Sequence, residues 1–294
     1  MLAYHFGYGA HAPARPGKRL RPRLVVEAAL AEGAPEKAAY HAAAAIELLH
    51  NYSLIHDDIE DRDELRRGRA TLWAKYGLPQ ALNAGDALCA LSFLTLAGAA
   101  QYHCAERVLR MVSVLHEAHA EMCDGQSLDL AFEDAAVVGL DLYNTMIAAK
   151  TAALFGAACE LGALCSAAPE ETIARYREAG RAFGLAFQIR DDELGVVATS
   201  DATGKVAGND IARRKWTFPI VWALGGRASP ARDRLAGAYS GKEPLDPPAV
   251  AVVVEALRET GAIEAARRAV AEHLRVVERH PPGSVRDLLL ESLN

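Results

Sequence analysis

Paired cysteines are missing from this 294-residue chain: its five, Cys89, Cys104, Cys123, Cys159 and Cys165, form an odd set without Cys-x-x-Cys spacing. That excludes a disulfide framework and a thiolate zinc site, and predicts buried thiols in a reducing compartment. Aromatics are only 6% of the residues and runs of Val, Ile and Thr are scarce, which argues against sheet. A basic excess is also lacking. The net charge of −6 gives no reason to expect nucleic acid as a partner, because that affinity comes from clustered Lys and Arg facing phosphate backbones. No glycine loop follows a strand pattern, so the phosphate cradle of nucleotide enzymes is absent. One Glu-x-x-His, Glu47 to His50, is half of what a di-iron bundle needs. The longest weakly polar run, 87–100, falls short of the ~18–20 apolar residues that cross a bilayer, so no transmembrane segment is expected. Residues 1–16 show no basic start followed by an apolar core, so no secretory leader is expected, and the location expected is cytoplasmic.

What is present is alanine-rich, apolar and periodic. The 51% apolar fraction can fill a large core, and the composition favours helix. Pro13, Pro16 and several Gly make 1–16 an irregular arm. Helical patterns follow over 17–31, 36–65, 80–100, 104–132, 141–164 and 170–197, and 220–294 reads as shorter amphipathic scaffold helices. No linker, repeat or composition shift divides the chain, so a single domain over 1–294 is expected.

The chain is organised around 50–61, where Asp57 and Asp61 stand four residues apart and so share one helix face. Two carboxylates aimed at one spot repel unless a cation lies between them. Mg²⁺ suits that place, because it accepts one or two carboxylates and completes its shell with water and substrate phosphates. Taken alone, the pair also fits a solvated acidic helix end neutralised by the arginines that follow. A second acidic cluster, Asp191-Asp192-Glu193, lies about 130 residues on. Cations stand at Lys18 with Arg21, Arg66 with Arg67, Lys150, Lys205, Arg213 with Arg214, and Lys215. Lys18 and Arg21, three apart, are expected on one face at a helix start; Gln126 and Asp129 share another face. If the two acidic helices face each other across a bundle, they make a polar funnel for metal ions with cations at its rim, a design for a diphosphate.

In motif order the chain resembles the trans-isoprenyl diphosphate synthases, the polyprenyl synthetase family. The resemblance is carried by Gly17-Lys18-Arg19-Leu20-Arg21-Pro22, by Ser53 to Asp61 with Arg66-Arg67-Gly68, and by Gly125-Gln126 through Asp129. It continues in Lys150-Thr151, Phe187-Gln188 with Asp191-Asp192, Gly204-Lys205, and Lys215 to Pro219. It implies an all-α bundle of ten or more helices around a deep central cavity, usually a homodimer. The implied reaction condenses isopentenyl diphosphate head to tail with an allylic diphosphate. Position by position, Asp57, Asp61 and Asp191 become the Mg²⁺ ligands, for up to three ions, with Asp58, Asp192 and Asp210 behind them. Arg66, Lys150, Lys205 and Lys215 hold the allylic diphosphate, and Lys18, Arg21, His50 and Arg67 hold isopentenyl diphosphate. Thr151 and Gln188 line the place where the carbocation forms, and Gln126 and Asp129 support Lys150.

The chain departs from the family pattern at Gly195, where a third Asp is usual, and at Ala70 and Trp73. Tyr52, five residues before the first motif and beside the small Ser53, occupies the position that sets chain length in the family. With no insertion in that motif, a C20 product is expected first and C15 next. Two other readings stay open. A class I terpene cyclase would not need the second anion site of Lys18, Arg21, His50 and Arg67. A non-catalytic subunit of a heteromeric synthase is suggested by Gly195.

Overall fold

The computed structural model describes residues 1–8, 17–197, 208–281 and 283–293. The described residues are 78% helical with nearly no strand, and the fold is all-α. Two compact units form, each drawn from several stretches of chain: 1–119 with 157–177 and 282–285, and 120–156 with 178–281 and 286–294.

In the first unit α1 (Leu2–His5) is a single turn where an irregular arm was expected. It is held by Tyr4, whose buried ring lies under Arg69 and Lys75 and whose hydroxyl donates to the Ala70 carbonyl at 2.8 Å. Next comes α2 (Leu20–Ala31), which starts later than the sequence suggested. Arg19 is left-handed (φ 47°), so Lys18 lies outside the helix and shares no helical face with Arg21. Pro22 sits in the first turn, where the missing N–H costs no hydrogen bond.

α3 (Glu36–Glu60) begins after Pro35 and packs on α2 and on α5 (Leu78–Ala97). Fully buried Ala39, Ala42 and Ala45 permit that close approach, and Ile46 and Leu49 fill the seams. The helix stops at 60, not 65. Arg62 (φ 55°) is left-handed, its N–H bonds to the Ile59 carbonyl and that of Asp63 to the Asp58 carbonyl, a Schellman closure built on arginine instead of glycine. A two-residue hairpin follows, β1 (Leu65–Arg66) with β2 (Arg69–Ala70), and then α4 (Leu72–Tyr76).

α6 (Ala105–Glu133) contributes its first half to this unit and its second half to the other. The second unit also holds α7 (Leu140–Ile147), a π-turn at Ala148–Ala152, the first turn of α8 (Ala153–Leu164), whose remainder belongs to the first unit, and most of α9 (Glu170–Val197). Its remaining helices are α10 (Asn209–Ala212), α11 (Phe218–Gly225), α12 (Pro230–Tyr239), α13 (Pro247–Glu259), α14 (Ala262–Arg279) and most of α15 (Gly283–Ser292). Its core joins Tyr143, Ile147, Ile189, Phe218, Val221, Leu235 and Val253.

Two expectations change. Cys159 and Cys165 are buried, but Cys104, just before α6, and Cys123, within it, are exposed. Two stretches, Leu78–Gln101 and Leu140–Leu164, reach membrane-spanning length by composition once helix ends are known; the second is mostly buried and the first only one-third buried.

Candidate active site

In the first unit the acids of α3 diverge. The Asp61 N–H donates to the Asp57 carbonyl at 2.8 Å, so the pair stays one α-turn apart, both partly buried. Asp58 points into the protein, 3% exposed, and accepts the Arg66 Nε at 2.6 Å. Burial raises the Asp58 carboxyl to about 6, against the pull of Arg66. Arg66 is presented by the β1–β2 hairpin, whose turn residues Arg67 (φ 53°) and Gly68 (φ 73°) are both left-handed. That is a type I′ geometry, in which arginine at the first position costs roughly 1–2 kcal/mol.

The strain sets Arg67 in place: its guanidinium covers Gly17, so that a Cβ there would lie 2.7 Å from Nη1. Arg21 donates to His50 Nε2 at 3.3 Å. His50 is held well below its ordinary pKa by burial and then by Arg21, Arg66 and Arg67, so it is a neutral acceptor for Arg21. The structure therefore brings Arg21, His50, Arg66 and Arg67 into one cationic corner, with Lys18 exposed beside Gly17. A corner of that charge is built for an anion. Sequence reasoning missed two residues here: His5 of α1 bonds Asn51 Oδ1 at 3.0 Å, and Asn51 donates to Glu47 Oε1 at 3.1 Å.

Tyr52 faces elsewhere. Its ring packs 4.6 Å from His56 and edge-on to His119 at 5.1 Å, beside the cluster of Ile55, Ala84 and Leu88. The Ser53 hydroxyl donates back to the His50 carbonyl at 2.8 Å.

In the second unit Lys150 stands in the π-turn and donates to Asp129 Oδ2 at 2.5 Å. Gly125 allows this: a Cβ on it would lie 2.2 Å from the Lys150 backbone nitrogen. Thr151 donates to Gln188 Oε1 at 2.8 Å, and Gln188 Nε2 donates to Asp192 Oδ1 at 2.9 Å. Asp192 is buried, and its other oxygen accepts the Tyr143 hydroxyl at 2.5 Å and the Phe218 N–H at 2.8 Å. Burial raises the Asp192 carboxyl to about 7, the three donors opposing it.

The row of acids on α9 thus splits three ways. Asp191 is exposed, Asp192 enters this network, and Glu193, 0% exposed, is held by Arg190 at 2.6 Å and Arg267 at 2.7 Å. At the departure Gly195, a Cβ would lie 3.3 Å from Asp210 Oδ2, so the Asp210 carboxylate borders the place of the missing side chain. The Lys215 N–H donates to the Asp210 carbonyl at 2.8 Å. Gln126 is partly buried on α6, one turn before Asp129. Lys205, with Thr203 and Gly204, lies outside the described residues.

A polyprenyl synthetase family model matches residues 8–257. A geranylgeranyl diphosphate synthase of Mycobacterium tuberculosis is 37% identical over 97% of this chain and 82% of its own length. A (2E,6E)-farnesyl diphosphate synthase of Mycobacterium bovis is 38% identical over 98% of this chain and 83% of its own. The crystal structure of polyprenyl synthetase from Streptomyces coelicolor A3(2) superposes with TM-score 0.90 at 32% identity, covering 99% of this chain and 90% of that one. That of a polyprenyl synthase from Caulobacter crescentus, complexed with calcium and isoprenyl diphosphate, gives 0.80 at 29%, covering 94% and 83%.

The chain belongs to the polyprenyl synthetase family.

As a prenyl diphosphate synthase it is a transferase, and its donor set suits that chemistry. Among the described residues no three His, Cys, Asp or Glu close on a point that would hold a metal by themselves. What they offer is carboxylate oxygen alone, as Asp57 with Asp61 and as Asp191. Such a set fits a hard divalent cation that draws the rest of its shell from water and diphosphate, and fits zinc poorly. Tyr143, the buried donor to Asp192, is a further residue that sequence reasoning passed over. It stands seven residues before Lys150, but the π-turn inserts an extra residue between them, so α-helical phase carried from one to the other fails.

Proposed function

We propose that this prenyl diphosphate synthase condenses isopentenyl diphosphate with an allylic diphosphate in a Mg²⁺-dependent, head-to-tail reaction, giving C20 geranylgeranyl diphosphate, with C15 farnesyl diphosphate next. The observation that carries the reading is the corner of Arg21, His50 and Arg67 in one unit, in addition to two separately oriented cations, Arg66 on Asp58 and, in the other unit, Lys150 on Asp129. A condensation needs two anion grips, whereas a terpene cyclase, with one diphosphate, needs a single one. Names among the relatives include both geranylgeranyl and farnesyl synthases. The preference for C20 rests on Tyr52 beside Ser53.

By the family resemblance Asp57, Asp61 and Asp191 would hold the Mg²⁺ ions, up to three, and the ions would supply positive charge to the departing pyrophosphate. By the family resemblance Arg66, Lys150, Lys205 and Lys215 would hold the allylic diphosphate by charge-assisted hydrogen bonds; within its own unit Asp58 orients Arg66, and within the other Asp129 orients Lys150. When the allylic C–O bond breaks, its electron pair leaves with pyrophosphate. Lys18, Arg21, His50 and Arg67 hold isopentenyl diphosphate while its double bond attacks the allylic carbon. Loss of one proton from the isopentenyl unit restores a double bond, and the pyrophosphate is the base at hand. Thr151 and Gln188 line the reacting carbon, where exclusion of water protects the cation.

The protein acts in the cytoplasm as a homodimer. Leu91, Leu94 and Leu109, 41%, 69% and 67% exposed on α5 and α6, are apolar side chains of the first unit that a second copy would bury. The test is purified protein with isopentenyl diphosphate and each allylic diphosphate, with Mg²⁺ or EDTA, read by product chromatography and light scattering. C20 product lost with EDTA, from a particle of twice the chain mass, is expected. Absence of product from every allylic diphosphate overturns the reading. Gly195 favours one second reading, a regulatory subunit, which wins if the protein alone is inert but changes the product length of a catalytic partner.

A further inference from the structure

Four side chains of the second unit form one line of hydrogen bonds with a direction. Asp192 spends both oxygens as acceptors: Oδ2 on the Tyr143 hydroxyl (2.5 Å) and the Phe218 N–H (2.8 Å), Oδ1 on Gln188 Nε2 (2.9 Å). In its ionised form a carboxyl so placed receives only donors, so the Gln188 amide turns its NH₂ to Asp192 and its carbonyl to Thr151. The reverse orientation would set a carbonyl oxygen against a carboxylate. The Thr151 hydroxyl must then donate to Gln188 (2.8 Å), which leaves its lone pairs as the polar group it offers to anything beside it. The adjacent Lys150 offers the opposite, an ammonium held by Asp129. Acceptor and cation side by side are what separating charge asks for: the lone pairs favour a developing cation, and the ammonium favours the departing anion.

The inner end of the line is Tyr143, 1% exposed on α7, its ring edge-on to Phe218 at 6.0 Å. No motif marks it. We propose that Tyr143 is a positioning residue for prenyl transfer: through Asp192 and Gln188 its phenol fixes the direction of the Thr151 hydroxyl, so that Thr151 presents an acceptor and not a donor to the reacting carbon. Tyr143 touches no substrate and acts through its neighbours. The inference rests on the reading of Thr151 and Gln188 as lining that carbon.

The test is a double-mutant cycle of Tyr143→Phe and Gln188→Ala, with kcat, both KM values and Tm measured. Tyr143→Phe keeps the ring and leaves Asp192 the Phe218 N–H, so it should fold, lower kcat about tenfold and hold both KM values within twofold. In the Gln188→Ala background the same change should alter kcat by less than twofold, since the line is already cut. Val221→Ala, in the same core, should lower Tm at least as far and leave kcat within twofold. If Tyr143→Phe does not fold, the same cycle run with Asp192→Asn carries the test. Losses that multiply in the double variant, an unchanged kcat in Tyr143→Phe, or a kcat that tracks Tm across all variants would overturn the inference and leave the functional reading standing. An unchanged kcat in Gln188→Ala alone would remove both.

Discussion

Gly125→Ala is the sharpest test of how the second unit holds its lysine. The added Cβ would sit 2.2 Å from the Lys150 nitrogen, 2.7 Å from its Cα and 2.9 Å from the Ala149 carbonyl carbon. All three are backbone atoms, so no side chain can swing aside. Reaching ordinary contact at 3.4 Å from 2.2 Å requires α6 and the π-turn to separate by about 1.2 Å. Asp129 lies one helical turn from Gly125 on the same face of α6, so it moves with the helix, and the 2.5 Å Lys150–Asp129 bond opens past 3.5 Å. Overpacking of this kind destabilises by about 1–3 kcal/mol. A displacement near 1 Å of a group that positions substrate lowers kcat by about 100-fold. Thermal unfolding and steady-state kinetics measure the two effects on one protein, with Asp129→Ala as comparison: it should share the kinetic loss with a smaller loss of Tm. Wild-type Tm and kcat in Gly125→Ala would refute the close approach and the role assigned to it.

Asp57→Ala should abolish turnover with circular dichroism unchanged; retained turnover would remove Asp57 from the metal ligands. Tyr52→Ala should lengthen the product by at least one C5 unit by chromatography, and an unchanged distribution would reject the ring as the stop. His5 is lowered to about 4 by burial, with Arg66, Arg67 and Arg69 adding to the effect, from an ordinary value of 6.5. The folded state therefore binds fewer protons than the unfolded one between these values, so stability is intact above pH 6.5 and is lost as pH falls towards 4, by up to about 3 kcal/mol. The protection factors of α1 amides, that is exchange relative to the intrinsic rate at each pH, should fall over that window in the wild type and show a flatter pH dependence in His5→Asn. Arg267→Ala removes one of two partners from the buried Glu193, and urea unfolding should show a loss of about 1–3 kcal/mol with KM values unchanged.

Helix content and most boundaries were legible because they depend on short-range sequence. α9 runs from Glu170 to Val197 as read, since Pro169 fixes its entry and acids follow in its first turn. Where a boundary was misread, the usual residue was absent. α3 closes on a left-handed Arg62, and α2 opens after a left-handed Arg19, positions where glycine or asparagine would have signalled the stop. The hairpin was missed because its turn is Arg67-Gly68 and not Asn-Gly.

Residue type and spacing by themselves determined the pairing of Asp57 with Asp61 and the pool of cations, because helical periodicity survives without knowledge of packing; the family came from the resemblance of the motifs, in their order along the chain, to a known one. Only tertiary structure decided which acids face inward. Asp191, Asp192 and Glu193 are consecutive and chemically alike, yet one is exposed, one is hydrogen-bonded in the core and one is locked between two arginines. Tyr143 and Arg267 became partners of that row only through helices that meet α9 from elsewhere in the chain. The physical reason is that the ionisation and orientation of a polar side chain are set by desolvation and by donors within about 3 Å, and those neighbours are assigned by packing.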